Sequence, residues 1–322
     1  MHQYFPKLCP PACGMEINTR RLERSPRIRV MTQSFVARAK KIDAGWLVTI
    51  GREARFITDS CTACGDCAKV CPAKVRDSFN LGMCETTAVH LPHPEAWPRR
   101  FVLDRSACPA GCKLCVDACK YQAIDLNAKP SEETVEVSAV VTATGWHPYP
   151  IEKLALLGGG RLANVIANVQ MERLAASNGP TQGKIVRPSD KVPPKTVAFV
   201  QCAGSRDVNH LPYCSAVCCL ASLKQATYVK QQIKDAEVTI YYIDRRTPGR
   251  NEEMLTKVAA MTGVKLVKGK VGKIEAVPDG SLKLFVEDSE ASALPDAKAD
   301  LVVLATGMVP NVDGRDGAFG LQ

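Results

Sequence analysis

Two runs of closely spaced cysteines constrain this chain more than any other feature. The first, CTACGDCAKVCP, sets Cys61, Cys64, Cys67 and Cys71 at C-x2-C-x2-C-x3-C-P. The second, CPAGCKLCVDAC, repeats the pattern through Cys108, Cys112, Cys115 and Cys119 with one extra residue in its first gap. Gaps this short let one tight, glycine-containing turn deliver several thiolates to one point. The proline after Cys71 keeps the chain from continuing as helix. In bacterial two-cluster ferredoxins, three thiolates of such a run hold one [4Fe–4S] cluster and the fourth serves the neighbouring cluster. The spacing therefore predicts one cluster on Cys61, Cys64, Cys67 and Cys119, and a second on Cys71, Cys108, Cys112 and Cys115. A zinc site or a disulfide framework also uses cysteines, but neither explains a doubled run of this kind.

The 322 residues suffice for two domains, and 46% apolar with 23% charged residues supply a globular core. Fifteen cysteines without a signal peptide, at metal-thiolate spacings, favour a reducing cytoplasm over a secreted disulfide scaffold. The longest apolar runs, VSAVVTATGW and ADLVVLATGMV, are too short to cross a bilayer, so membrane contact would go through a partner. A formal charge of +9 raises nucleic acid, but the basic residues are scattered and aromatics make up only 6%. Basicity reads better as compensation for anionic clusters.

Along the chain, a short helix is expected near Met15–Leu22, followed by two or three strands in RIRVMTQSFVARAKKIDAGWLVTIG. The cysteine module follows, with Cys84, His90 and His93 in its proline-rich connection, none of them assigned a role. ETVEVSAVVTATGWHPYP predicts a strand closing in Ala143-Thr144-Gly145, and ADLVVLATGMVPN a second closing in Ala305-Thr306-Gly307. An apolar strand ending in A-T-G is typical of flavoproteins built from two dinucleotide-binding domains, where the glycine admits a cofactor. Thr144, Gly145, Ala305, Thr306 and Gly307 are accordingly candidate cofactor contacts, with a plain tight turn as the alternative. The glycines of LLGGGRLANV lack the G-x-G-x-x-G spacing and read as a flexible loop.

KTVAFVQCAGSRD, SAVCCLASLKQATYVKQQIKD and EVTIYYIDRR predict strand, amphipathic helix and strand, the opening of a Rossmann-like unit. Its first turn carries Cys202 in place of a glycine fingerprint, with Cys214, Cys218 and Cys219 after it. This C-x11-C-x3-C-C set, at a strand end and a helix N-terminus, suits a third [4Fe–4S] cluster. A vicinal disulfide or buried free thiols are the alternatives.

FPKLCPPACG, the eight-cysteine insertion, TATGWHPYP, FVQCAGSRDVNHLPYCSAVCCLASLKQA and LATGMVPN together resemble the A-type polypeptide of heterodisulfide reductase. The details are nearest to the A-type polypeptide of the quinone-interacting membrane-bound oxidoreductase and the A-like one of sulfur oxidisers. The resemblance implies an α/β fold: a thioredoxin-reductase-like flavoprotein core of two dinucleotide-binding domains, binding FAD, with an inserted two-cluster ferredoxin module of α+β type. It implies that Cys202, Cys214, Cys218 and Cys219 ligate a cluster near the flavin, and that Lys224 points at the flavin ring. It implies partners too: B- and C-type subunits of heterodisulfide reductase or of the quinone-interacting complex, and a homodimer of the core. The corresponding domains are 1–56 and 129–194 (FAD-binding), 57–128 (ferredoxin-like), 195–308 (second Rossmann-like) and 309–322 (start of a truncated C-terminal segment). Relatives carry an N-terminal Rossmann strand and glycine fingerprint that this sequence lacks, and a fragment is the favoured explanation.

The expected function is an FAD- and iron–sulfur-dependent electron-transfer subunit of a complex in sulfur metabolism. One alternative is a flavin-free, polyferredoxin-like wiring subunit. Another is an NAD(P)H-dependent flavin oxidoreductase, disfavoured by Cys202 in the fingerprint turn. Cys9 and Cys13 read as packed or structural thiols.

Overall fold

A computed structural model describes residues 2–3, 8–288 and 296–311. Phe5, Pro6 and Lys7, and residues 312–322 of the last segment, lie outside the described residues. The chain divides into two compact units, one of Ala12–Gly145 with Pro310–Gln322, the other of Met1–Pro11 with Trp146–Val309.

The cysteine-rich unit opens with helix α1 (Ala12–Arg24), longer than the expected Met15–Leu22 and without a buried residue. The next segment yields two strands, β1 (Ser34–Ile42) and β2 (Gly45–Arg52), paired antiparallel. Strand β2 then pairs with β7 (Ser131–Val137), from Trp46 opposite Val137 to Arg52 opposite Ser131. The whole cysteine module is thus looped out between two adjacent strands of one three-stranded sheet. It consists of short pieces: α2 (Asp66–Lys69), β3 (Lys74–Arg76), β4 (Glu85–Thr87), β5 (Val89–His90), β6 (Val102–Leu103) and α3 (Leu114–Asp117). Strand β3 pairs with β4 and β5 with β6. Ile57, Ala88, Val89 and Leu103 pack with Cys67 and Cys115 in a small core of their own.

Strand β7 stops at Val137, so the first A-T-G does not close a strand as expected. The cause is its partner: β2 begins at Gly45, where a Cβ would come 2.2 Å from the Val137 carbonyl, and offers nothing further to pair with. Residues 138–145 are irregular and largely exposed, Val141 at 91%. Gly145 has φ +71°, and Asn311 donates to the Thr144 and Gly145 carbonyls at 2.7 and 3.1 Å.

The second unit contains β8 (Trp146–Pro148), β9 (Val165–Ala167), α4 (Asn168–Ala175), β10 (Thr196–Ala203), α5 (Cys218–Gln232) and β11 (Glu237–Tyr242). It continues through α6 (Glu252–Ala259), β12 (Val264–Ala276), β13 (Leu282–Asp288), β14 (Asp296–Ala299), β15 (Leu301–Thr306) and β16 (Met308–Pro310). A seven-stranded sheet runs β14-β13-β12-β11-β10-β15-β9. Strands β10, β11, β15, β9 and the first part of β12 are parallel, and β12-β13-β14 form an antiparallel meander. In the parallel part, β12-β11-β10-β15, the third, second, first and fourth of these strands lie side by side. Strand β15, LVVLAT, is buried at every residue, as expected of a central parallel strand covered on both faces. In β13, buried Leu282, Leu284 and Val286 alternate with more exposed residues, the signature of a sheet with one wet face.

Two expectations change here. The glycines of 158–160 sit in a packed turn: Gly158 and Gly159 are buried, and a Cβ on Gly159 would lie 1.9 Å from the Ile151 carbonyl. Helix α5 is not simply amphipathic, since Ser222 through Val229 are all buried. Among the described residues no helix is long and apolar enough to cross a membrane.

The close approach at Gly45, whose φ is +141°, makes it the tightest joint of the three-stranded sheet. Gly45→Ala is expected to cost on the order of 2 kcal/mol of stability. Gly14→Ala, in α1 with open space around it, should instead stabilise by up to about 1 kcal/mol. Thermal unfolding of both variants checks the contrast, and equal midpoints would contradict the packing described.

Candidate iron–sulfur site

Between Cys61 and Cys71 the backbone winds through left-handed residues, Ala63 at φ +55° and Gly65 at +87°, before the single turn of α2. This winding carries the Cys61, Cys64 and Cys67 side chains to one side. The Ala63 N–H points at the Cys61 sulfur at 3.4 Å, and the Ala123 N–H points at the Cys119 sulfur at the same distance. Ile57 and Ile124 form an antiparallel bridge that closes the loop between the two runs. Thr58 N–H to the Ala123 carbonyl (2.8 Å) and Asp125 N–H to the Phe56 carbonyl (2.9 Å) flank it. As a result Cys61, Cys64, Cys67 and Cys119 line one cavity, walled by Ile57, Phe101, Tyr121 and Ile124. These are the four cysteines that the crosswise spacing pairs.

In the second run, Cys115 is buried beside Cys108 and Cys112, whose sulfurs add to burial in raising its pKa. Cys71 and Cys108 pack against the same small core. Cys67 is pushed up to about 11, by burial first and then by its neighbours Cys61 and Cys64. A thiol of this kind is inert at neutral pH unless a metal displaces its proton. Cys84 is half-buried with its sulfur 3.7 Å from the Asp77 carboxylate. Among the described residues no His, Cys, Asp or Glu group is drawn together tightly enough for a single metal ion. A four-iron cube asks for something else: thiolates set apart around a cavity.

The third set gathers at the carboxyl end of β10 and the start of α5. Cys202 takes a left-handed φ of +55° in a bulge one residue before the end of β10, where Ala203 still pairs with Thr306, and Ala216 is left-handed just before the helix. Cys218 donates to the Thr306 carbonyl at 3.4 Å, tying the helix start to the second A-T-G. Burial pushes Cys218 up to about 12, with Cys202, Cys219 and Cys214 near enough to add to the rise. The sequence reading missed the cations beside them. Arg206 lies against Cys202 and is paired with Asp244 at 2.7 Å, and Arg246 reaches the same carboxylate at 3.4 Å. Their sequence signals are the S-R-D just after β10 and the D-R-R one residue past β11.

The remaining candidates are placed differently. Ala305 and Thr306 are buried at the end of β15. The open side of Gly307 is filled from within: a Cβ there would meet the Ser205 and Ser215 hydroxyls at 2.5 and 2.7 Å. The Ser215 hydroxyl also accepts from the Met308 N–H at 2.8 Å. The small size of Gly307 thus serves the loop before α5. Lys224 is not solvated. Its ammonium is buried, 2.9 Å from Glu172 and 2.6 Å from the Gln3 carbonyl. Glu172 accepts further from Gln225 at 2.8 Å and from the His2 backbone N–H at 3.0 Å.

The 4Fe-4S binding domain family matches residues 54–77. The A-type polypeptide of the Ferredoxin/F(420)H(2)-dependent CoB-CoM heterodisulfide reductase of Methanosarcina acetivorans is 36% identical over 96% of this chain and 39% of its own. The A-type polypeptide of the H(2):CoB-CoM heterodisulfide,ferredoxin reductase of Methanothermobacter thermautotrophicus is 36% identical over 95% of this chain and 47% of its own. This chain is a relative of the A-type polypeptides of heterodisulfide reductase. It spans less than half the length of these relatives, 39% and 47%. As their names state, the relatives are subunits of oxidoreductases. Among solved structures, an FAD-bound cadaverine monooxygenase of Erwinia amylovora overlaps 58% of this chain and 48% of its own at a TM-score of 0.35 and 8% identity, too distant to carry an argument.

Two outcomes follow from this geometry. In the iron-free chain, alkylation of Cys67 should rise about tenfold per pH unit up to about pH 11. A mass-spectrometric profile that levels off near the ordinary thiol range would contradict its burial. Lys224→Met leaves Glu172 buried without its cation and should cost about 3–5 kcal/mol in denaturant unfolding. A loss under about 1 kcal/mol would mean the pair is hydrated.

Proposed function

We propose that this chain is an iron–sulfur electron-transfer subunit that works within a heterodisulfide-reductase-type complex of sulfur metabolism. The observation that carries this reading is the single cavity lined by Cys61, Cys64, Cys67 and Cys119. Cysteines from both runs meet there, as a two-cluster ferredoxin requires. Cys71, Cys108, Cys112 and Cys115 would hold the second cluster, and Cys202, Cys214, Cys218 and Cys219 the third. Bound clusters supply one-electron transfer, and the protein supplies position, dielectric and charge. Phe101, Ile57 and Ile124 give the first cavity apolar walls. Arg206 and Arg246, steered by Asp244, offset the negative charge of the third set.

FAD enters this reading through the resemblance to the A-type polypeptides of heterodisulfide reductase, and Lys224 as a flavin neighbour enters the same way. The filled space at Gly307 favours the second reading, a flavin-free wiring subunit. Partner subunits of B and C type, or those of a quinone-interacting complex, would receive the electrons.

Anaerobic purification with iron and flavin measured on one sample tests the reading. About twelve irons per chain are expected for three four-iron clusters. Cys119→Ser should remove the first cluster's signal, while Cys71→Ser should remove the second's. Loss of the first cluster in Cys71→Ser instead would overturn the crosswise assignment. Flavin near one per chain supports the FAD-bound form, and iron without flavin supports the wiring subunit.

A further inference from the structure

The second cysteine run differs from the first in how its leading cysteine is held. Its widened gap, residues 109–111, is exposed, and a Cβ on Gly111 (φ +71°) would meet nothing within 4 Å. A loop without packed neighbours cannot fix Cys108 from its carboxyl side. The hold comes from the other direction. Asp104 caps the single 3-10 turn Arg105–Ala107 that leads into Cys108. Its Oδ1 accepts from the Ser106 N–H at 3.0 Å and from the Ser106 hydroxyl at 2.5 Å. The Cys108 N–H closes the turn on the Arg105 carbonyl at 3.2 Å.

The backbone of Asp104 also leads to Cys71. The Asp104 N–H donates to the Ala88 carbonyl at 2.8 Å, and the Ala88 N–H donates to the Ala73 carbonyl at 3.0 Å. Cys71 donates its thiol proton to that Ala73 carbonyl at 3.6 Å, and Cys108 donates to the Asp104 carbonyl at 3.7 Å. The two sulfurs therefore sit at the two ends of one backbone relay through Ala73, Ala88 and Asp104. Metal binding displaces both protons and frees the sulfurs. The first run has no such cap. Its Asp59, two residues before Cys61, is exposed and paired with Arg55 at 2.6 Å and with Arg100.

We propose that Asp104 is a positioning residue for the second cluster, its cap on Ser106 setting where Cys108 meets iron beside Cys71. Hydrogen bonds from Ser106 hold the Asp104 carboxyl below the usual carboxylate range, so it accepts them as a carboxylate at neutral pH. This role rests on the proposed function in one respect: Cys71, Cys108, Cys112 and Cys115 must hold a four-iron cluster.

The test is oxidative iron release from the whole chain, purified anaerobically and followed by iron assay and electron paramagnetic resonance. Ferricyanide takes one electron from a four-iron cube, which then sheds its least firmly held iron as Fe(II). A three-iron cluster remains, with a resonance that the intact oxidised cube lacks. In Asp104→Ala this resonance and the released iron should appear about tenfold faster than in the native chain, the size of effect seen when a group supporting a metal ligand is removed. Asp104→Asn keeps the acceptor oxygen and should restore the native rate. In a Cys108→Ala background, Asp104→Ala should change nothing further, because Asp104 acts through that cysteine. Native-like release from Asp104→Ala, no rescue by Asp104→Asn, or further acceleration in the Cys108→Ala background would each overturn the role. Should Asp104→Ala fail to fold, Ser106→Ala removes one of the two donors, and release no faster than native contradicts the proposal. An iron content that Cys108→Ala leaves unchanged means that no second cluster is present; that result overturns the proposed ligand set first and this role with it.

Discussion

Ile57 and Ile124 clasp the iron–sulfur unit shut. Their antiparallel bridge, with the two backbone hydrogen bonds beside it, brings Cys119 to the loop that carries Cys61, Cys64 and Cys67. Without that contact the two cysteine runs are independent turns, each able to present three thiolates but not four. The sheet repeats the constraint one layer out, since the ends of the module leave from β2 and return to β7 in fixed register. A module of short strands and single helical turns has little core to stabilise it. Here its cysteines are part of that core: Cys67 and Cys115 pack among Ile57, Val89 and Leu103. Metal binding and folding are therefore expected to be linked.

The second unit solves a different problem, that of bending a central strand into a helix past a crowded neighbour. Strand β10 bulges at a left-handed Cys202 one residue before its end, and the loop beyond it packs Ser205 and Ser215 against Gly307, just after β15. The turn between β10 and α5 is thus packed inward and supplied with thiols. Helix α5 carries one compensated charge into its buried stretch, Lys224 against Glu172, braced by Gln225. Removing either partner leaves the other charged in a dry interior.

Cysteine spacing made the metal chemistry legible from the sequence alone, because thiolate geometry is local and repeats. The strand–helix–strand unit from Lys195 onward was equally plain, since apolar and β-branched β10 and β11 flank an α5 rich in the helix formers Ala, Leu, Lys and Gln. The first A-T-G was not legible. VSAVVTATG has strand composition, but β2 runs out of partner residues at Gly45, and pairing is a long-range fact that composition does not carry. The same limit hid Glu172, which lies on α4 and meets Lys224 only through the fold. The glycines of 158–160 misled in the other direction, because an unpatterned triplet looks mobile until the Ile151 carbonyl is found against it.

The most direct test of crosswise cluster ligation is a crystal structure of the anaerobic chain with anomalous scattering collected at the iron edge. The account predicts an iron peak in the cavity of Cys61, Cys64, Cys67 and Cys119, within bonding distance of all four sulfurs. A peak bound by Cys61, Cys64, Cys67 and Cys71, or disulfides in place of iron, would contradict it.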